Sequence, residues 1–118
     1  MPDVTTLLTA VDRFADRLRA MPQSALARGA AAEGLGLARE LTDRAQRLEF
    51  PGRPPRSLPD AGLFAVGDQL AVAGHDLAEA LRAAGEPAGA GPRELAGAVA
   101  LVEAAESAAL EAALRARR

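Results

Sequence analysis

The chain has no cysteine, tryptophan, tyrosine, lysine, isoleucine or asparagine. Without cysteine there are no disulfides, no thiolate metal sites and no cysteine nucleophile. Three phenylalanines are the only aromatics, which leaves little for RNA recognition by stacking. No apolar run approaches the ~18 residues that a membrane-spanning helix needs. The start, MPDVTTLL, lacks a basic n-region, so no secretory signal is predicted and a cytoplasmic location is expected. All 14 basic residues are arginine. Lysine, isoleucine, asparagine and tyrosine have A/T-rich codons, so a very G+C-rich bacterial genome, of the actinobacterial sort, is predicted. That bias explains arginine without a functional appeal. The net charge of −2 gives no bulk electrostatic reason to expect nucleic acid as a partner.

What is present is alanine. It supplies 30 of 118 residues, against 17 Leu, 6 Val, 3 Phe and 2 Met. Alanine is the best helix former, and valine is the only β-branched apolar type. An all-α fold follows, as one domain over residues 1–118 with a thin core. Residues 1–59 carry 9 Arg against 7 acids, and residues 60–118 carry 5 Arg against 9 acids, which predicts complementary docking of two halves.

The stretch from Ala61 to Ala84 organises the rest. Leu63, Val66, Leu70, Leu77 and Leu81 recur at three- and four-residue spacing, with Ala73 and Gly74 between. That predicts a helix with one buried stripe. Asp68, His75, Glu79, Arg82 and Glu86 fall on the other side. A first helix is predicted from about Val4 to Ala20, capped by Asp3 and ended by a tight turn at Pro22, the alternative being one long helix kinked there. A second runs from about Ser24 to Glu49, with Ser24 as its cap and Ala27, Ala30, Gly34, Leu37, Ala38, Leu41, Ala45 and Leu48 inside. Its Ala30/Gly34/Ala38 ridge predicts close helix approach. FPGRPPRSLP, residues 50–59, cannot be helix and reads as a stiffened crossover. Ser57 and Asp60 are placed for a capping box. Gly85 suits a helix end, the loop GEPAGAGP follows, and Pro92 is expected at N1 of a fourth helix. In that helix Leu95, Val99, Val102, Ala105, Ala109 and Ala113 form the expected seam. Arg115, Arg117 and Arg118 suit its C-terminus. Phe14 and Phe64 are expected in the core.

His75 is the only histidine and the first candidate for chemistry. An exposed histidine in an ion pair is the reading adopted. Asp76 with Glu79, and Glu103 with Glu106, are i,i+3 acid pairs that two helices would need if they shared a divalent cation. Surface acids at helical spacing are commonplace in a chain with 16 of them, so solvated helix faces are the preferred explanation and no metal or other cofactor is expected. Glu106 lies near the apolar seam and needs a cation, for which Arg39, Arg44 and Arg47 are the candidates.

Ala73-Gly74-His75-Asp76-Leu77 resembles the histidine motif of histidine phosphotransfer domains, which are four-helix bundles. Ala78 and Glu79 stand where that family has lysine and glycine. GHDLAEAL resembles the apolar frame of the first acidic motif in the all-α nucleoside-triphosphate pyrophosphohydrolases. Val72 and Ala73 stand where that family has two glutamates. The resemblances imply phosphotransfer at His75 or metal-dependent hydrolysis through Asp76, Glu79, Glu103 and Glu106.

The expected architecture is a four-helix up-down-up-down bundle with a proline-rich crossover between helices 2 and 3. The expected function is non-enzymatic: an interaction or regulatory module that binds a protein partner or a second copy of itself. Leu35, Val72, Leu101, Leu110 and Leu114 are the apolar residues left over once a core is assigned, and so are the candidate interface.

Overall fold

A computed structural model describes residues 3–85 and 90–115. The loop residues 86–89, with Glu86 and Pro87, and the arginines at 117 and 118 lie outside that range. Four long helices make up the described chain: α1 (Thr5–Ala20), α2 (Ala31–Glu49), α3 (Val66–Ala84) and α4 (Ala90–Arg115). Among the described residues no helix is long and apolar enough to cross a membrane.

Each start and stop has a local cause. The Asp3 carboxylate accepts the Thr5 amide at 2.9 Å, but Val4 is the N-cap of α1 and no side chain caps the helix, so Asp3 stands one residue before the cap position expected of it. Hydrogen bonding by Thr5, through its hydroxyl and then its amide, holds the Asp3 carboxyl below the usual carboxylate range. α1 stops because Pro22 forces Met21 out of the helical region, to φ −76°, ψ 142°. The break is a two-residue turn. A helical lead-in, 23–30, follows without a side-chain cap, so Ser24 does not serve as one. It widens over Leu26–Ala30 and kinks at Gly29, where φ is 143°. Only glycine holds that conformation without strain. α3 begins with a tight turn, Leu63–Ala65. The Ser57/Asp60 capping box does not form, because Asp60 accepts the Gly62 amide instead. Gly85 ends α3 at φ 70°, as expected of that residue. Pro92 is the third residue of α4 and not the first, which a helix still tolerates because its first four amides have no partner.

The directions follow from which residues meet. A Cβ on Gly74 would run into Val11, and one on Gly67 would lie 3.1 Å from the Ala15 carbonyl oxygen. α1 and α3 are therefore antiparallel. Gly97 lies by Arg44 and Ala112 by Gly29, so α4 is antiparallel to α2. Glu106 meets Arg13 and Arg17, while further along both helices Leu110 and Ala113 lie with Ala20 and Met21, so α4 runs with α1. It follows that α2 and α3 are parallel, and taking α1 as running up, the order is up-down-down-up. The bundle and its proline-rich crossover are as expected, but the simple alternation fails at the crossover. The reason is length. Residues 50–53 make a turn, and the nine that follow, 54–62, reach about 30 Å when extended, enough to return along α2. Around the bundle α1 touches α3 and α4, and α2 touches the same two. α1 and α2 lie diagonally opposite, as do α3 and α4.

The crossover is held by side chains, since it has no ladder of its own. Gln46 donates to the Arg56 carbonyl at 2.8 Å and accepts the Arg56 amide at 2.9 Å. Arg39 donates to the Leu58 carbonyl and Gln69 to that of Pro59, both at 2.9 Å. These bonds answer the demand that backbone polar groups be paired when secondary structure does not pair them.

Phe14, Leu7, Leu41, Leu70, Leu77, Val4, Val11 and Val102 are the largest fully buried side chains. Ala30, Gly34 and Ala38 are buried as expected. A Cβ on Gly34 would come within 2.8 Å of both Leu18 and Val66, so this glycine is kept for close approach. Ala27 is exposed, because it lies before the kink. Phe64 is 70% exposed and not in the core. It sits one residue off the Leu63–Val66–Leu70 stripe, about 100° around the helix.

Candidate functional site

The candidate polar residues are drawn apart by the diagonal placement of α3 and α4. On α3, His75 Nε2 lies 3.0 Å from Asp12 Oδ1 of α1, with both side chains half-exposed. Glu79 accepts Arg82 at 2.7 Å. Asp76 is exposed beside Thr42 and Val72 in a shallow hollow between α2 and α3. On α4, Glu103 is exposed and has no ion-pair partner within 4.0 Å among the described residues. Glu106 is the one buried charged residue among those described. Among the described residues no group of three or more His, Asp or Glu is arranged to hold a metal ion.

Glu106 is bound from α1, not from α2. Arg13 Nη2 and Arg17 Nε each stand 3.0 Å from its carboxylate. Arg44 and Arg47 pair instead with Glu40 and Asp43 on their own helix, and Arg39 is taken by the crossover. The carboxylate is only 9% exposed, while Arg13 and Arg17 are half-exposed. Two guanidinium groups thus offset the desolvation of one buried acid. On its other side α1 is tied to α3 through Arg19, which binds Asp68 at 2.8 Å and Asp16 at 2.9 Å. The Asp68 hydrogen bond, ahead of that from Asp16, raises the Arg19 pKa.

The apolar candidates separate as well. Leu35 is 9% exposed and belongs to the core. α2 lies between α3 and α4 and buries a stripe wider than a single seam, so Leu35 is covered and is not a surface residue. Leu101 is half-buried and packs on the core. Val72, 62% exposed, borders the α2/α3 hollow. Leu110 and Leu114 come together with the α1–lead-in turn. They line an open cleft of about 460 Å³ with Ala20, Met21, Ala25 and Ala113. Arg17 and Ser24 also line it. Leu114 is 64% exposed.

The cleft exists because α4 is turned. Ala98, Val102, Glu106, Ala109 and Ala112 face inward, a stripe that keeps Val102 and Ala109 of the expected seam but is rotated so that Leu95, Val99, Ala105 and Ala113 are only half-buried. Small residues face the neighbours, so the leucines stand to the side. Reading that rotation from the sequence would have required placing Glu106 inside with its two arginines. Comparison with known proteins finds no protein-family model, no curated protein and no solved structure that matches the chain.

Proposed function

We propose that the protein is a non-enzymatic helical interaction module that joins two copies of itself through the upper half of α4. The observation that carries this reading is the cleft at that end, floored by alanine and flanked by Leu110 and an exposed Leu114. The outward side of α4 supports it. There Ala96, Ala100, Ala104 and Ser107 are exposed, with Glu103 and Glu111 the charges on that stretch. A helix apolar on both sides is ordinarily covered on both sides.

The occupant that suits the cleft is α4 of a second copy. It brings leucines for the apolar floor. It also brings Glu111, whose intramolecular partner Arg115 is 3.9 Å away, toward the half-exposed Arg17. A self-complementary patch of this kind closes into a twofold dimer.

Light scattering on the purified chain tests the reading. The expected particle is twice the 12.1 kDa chain mass, and Leu114→Glu returns it to a monomer with an unchanged circular dichroism spectrum. A wild-type chain that stays monomeric at millimolar concentration overturns self-association.

A further inference from the structure

From the lower end of α2 and the crossover lying over it, we infer a binding site for a small phosphate-bearing molecule. Most arginines on the helices lie against carboxylates, as Arg13, Arg19, Arg44, Arg47 and Arg82 do. Arg53 and Arg56 do not, and neither does Arg39. Among the described residues no carboxylate comes within 4.0 Å of their guanidinium groups. Arg53 and Arg56 line one cavity of about 330 Å³ with Gln46, Phe50 and Pro54, and no acid lines it. Glu49 is exposed at the same end of α2 but is not part of that lining. The adjoining hollow shares Arg56 and adds Arg39. Its acids, Glu40 and Asp43, are already held by Arg44 and Arg47.

The two guanidinium groups stand on backbone that is fixed beforehand. Gln46 grips both the amide and the carbonyl of Arg56, and Pro54 and Pro55 restrict the chain between the arginines. Arg53 is steadied over the Phe50 ring, 5.1 Å from its centroid. Little further ordering is needed when a ligand enters, which favours binding. Guanidinium forks match the geometry of phosphate oxygens. The cavity is at the small end of ligand sites, so one phosphate group with a modest substituent fits it and a polymer is not required. The C-terminal carbonyls of α2 contribute partial negative charge here. The two arginines must outweigh it, and two guanidinium forks pair more fully with the oxygens of one phosphate than with a single carboxylate.

Titration of the ¹⁵N-labelled chain at fixed ionic strength tests the site, with inorganic phosphate in one series and adenosine monophosphate in another. The expected result is saturable movement of the Arg53 and Arg56 Nε–H signals together with the Gln46 amide. Arg56→Gln should weaken binding about tenfold, the loss of one charge-assisted contact. Its fold is safe because the bonds to Gln46 use the Arg56 backbone. Arg28→Gln, at an exposed arginine with no ion-pair partner among the described residues, should leave binding unchanged. Equal affinity for the two probes shows that the phosphate group alone is read, and tighter nucleotide binding shows that the Phe50 surface adds to it. Absence of saturable shifts with either probe overturns the site, as does an equal loss in the Arg28→Gln control.

Discussion

α3 and α4 face each other across the bundle and turn opposite things inward. α3 buries Leu70, Leu77 and Leu81 and shows Asp68, His75, Glu79 and Arg82 to water. α4 buries three alanines, Val102 and a glutamate, and leaves Leu110 and Leu114 at its edge. Both helices are rich in apolar residues, so apolar content alone does not say what a helix is for. What differs is where the large residues sit relative to the neighbours. In α3 they fill the space between α1 and α2, and the fold rests on them. In α4 the contact is made by alanines, Val102 and one ion cluster, and Leu110 and Leu114 remain available at the cleft.

The largest expected effect tests the α3 side. Leu77→Ala should cost about 2–5 kcal/mol, because the side chain is fully buried and the gap cannot close. Leu70→Ala should fall in the same range. Urea unfolding followed by circular dichroism measures both. A loss below about 1 kcal/mol at Leu77 would break the comparison, since burial would then not be what stabilises α3.

Close approach sharpens it next. A methyl at Gly74 has no room against Val11, so Gly74→Ala should lose about 1–3 kcal/mol despite the better helix propensity of alanine. Val11→Ala should recover part of that loss in the double variant, since the two side chains compete for one space. Strict additivity in the cycle would place the strain elsewhere. Glycines without such neighbours serve as the reference. Nothing lies within 4 Å of a Cβ at Gly36, and alanine there should add up to ~1 kcal/mol.

On the α4 side the corresponding element is Glu106. Its removal as Glu106→Ala should cost about 1–3 kcal/mol through lost packing and lost charge-assisted bonds. Glu106→Leu should cost less. Arg13 and Arg17 are half-exposed and can return to water, so neither is left as a buried unpaired charge. A larger loss for leucine than for alanine would show that the inward face of α4 depends on the ion cluster itself.

Much of this contrast is legible in the residues. The 3.6-residue spacing of α3 identifies both its faces, because its leucines are large and its charges regularly placed. The Ala30/Gly34/Ala38 ridge likewise announces close packing. α4 is harder, since a helix with alanine on every side has a weak periodic signal, and a seam drawn through Leu95 and Val99 is rotated from the true one. Glu106 was recognisable as needing a cation, but which helix supplies it depends on the order of helices around the bundle. That order is set by features with little sequence signature. Gly29 holds a positive φ where α4 comes close through Ala112. The direction of α3 depends on how far residues 50–62 travel back along α2. Leu35 is surplus to a single seam, but its helix has two neighbours and buries it. Among the site candidates, Leu110 and Leu114 lie together at the cleft, while Val72 borders a different hollow.

The smallest expected effect is at Leu114, and its smallness is the point. The side chain is 64% exposed, so in a dilute monomer Leu114→Ala should change stability by no more than about 0.5 kcal/mol. The same leucine becomes buried if a second α4 covers the cleft. Association then adds stability by mass action, and the unfolding midpoint should rise with protein concentration in the wild type. In Leu114→Ala that rise should be reduced. A midpoint independent of concentration in both proteins would remove the functional half of the contrast. α4 would then differ from α3 in packing alone.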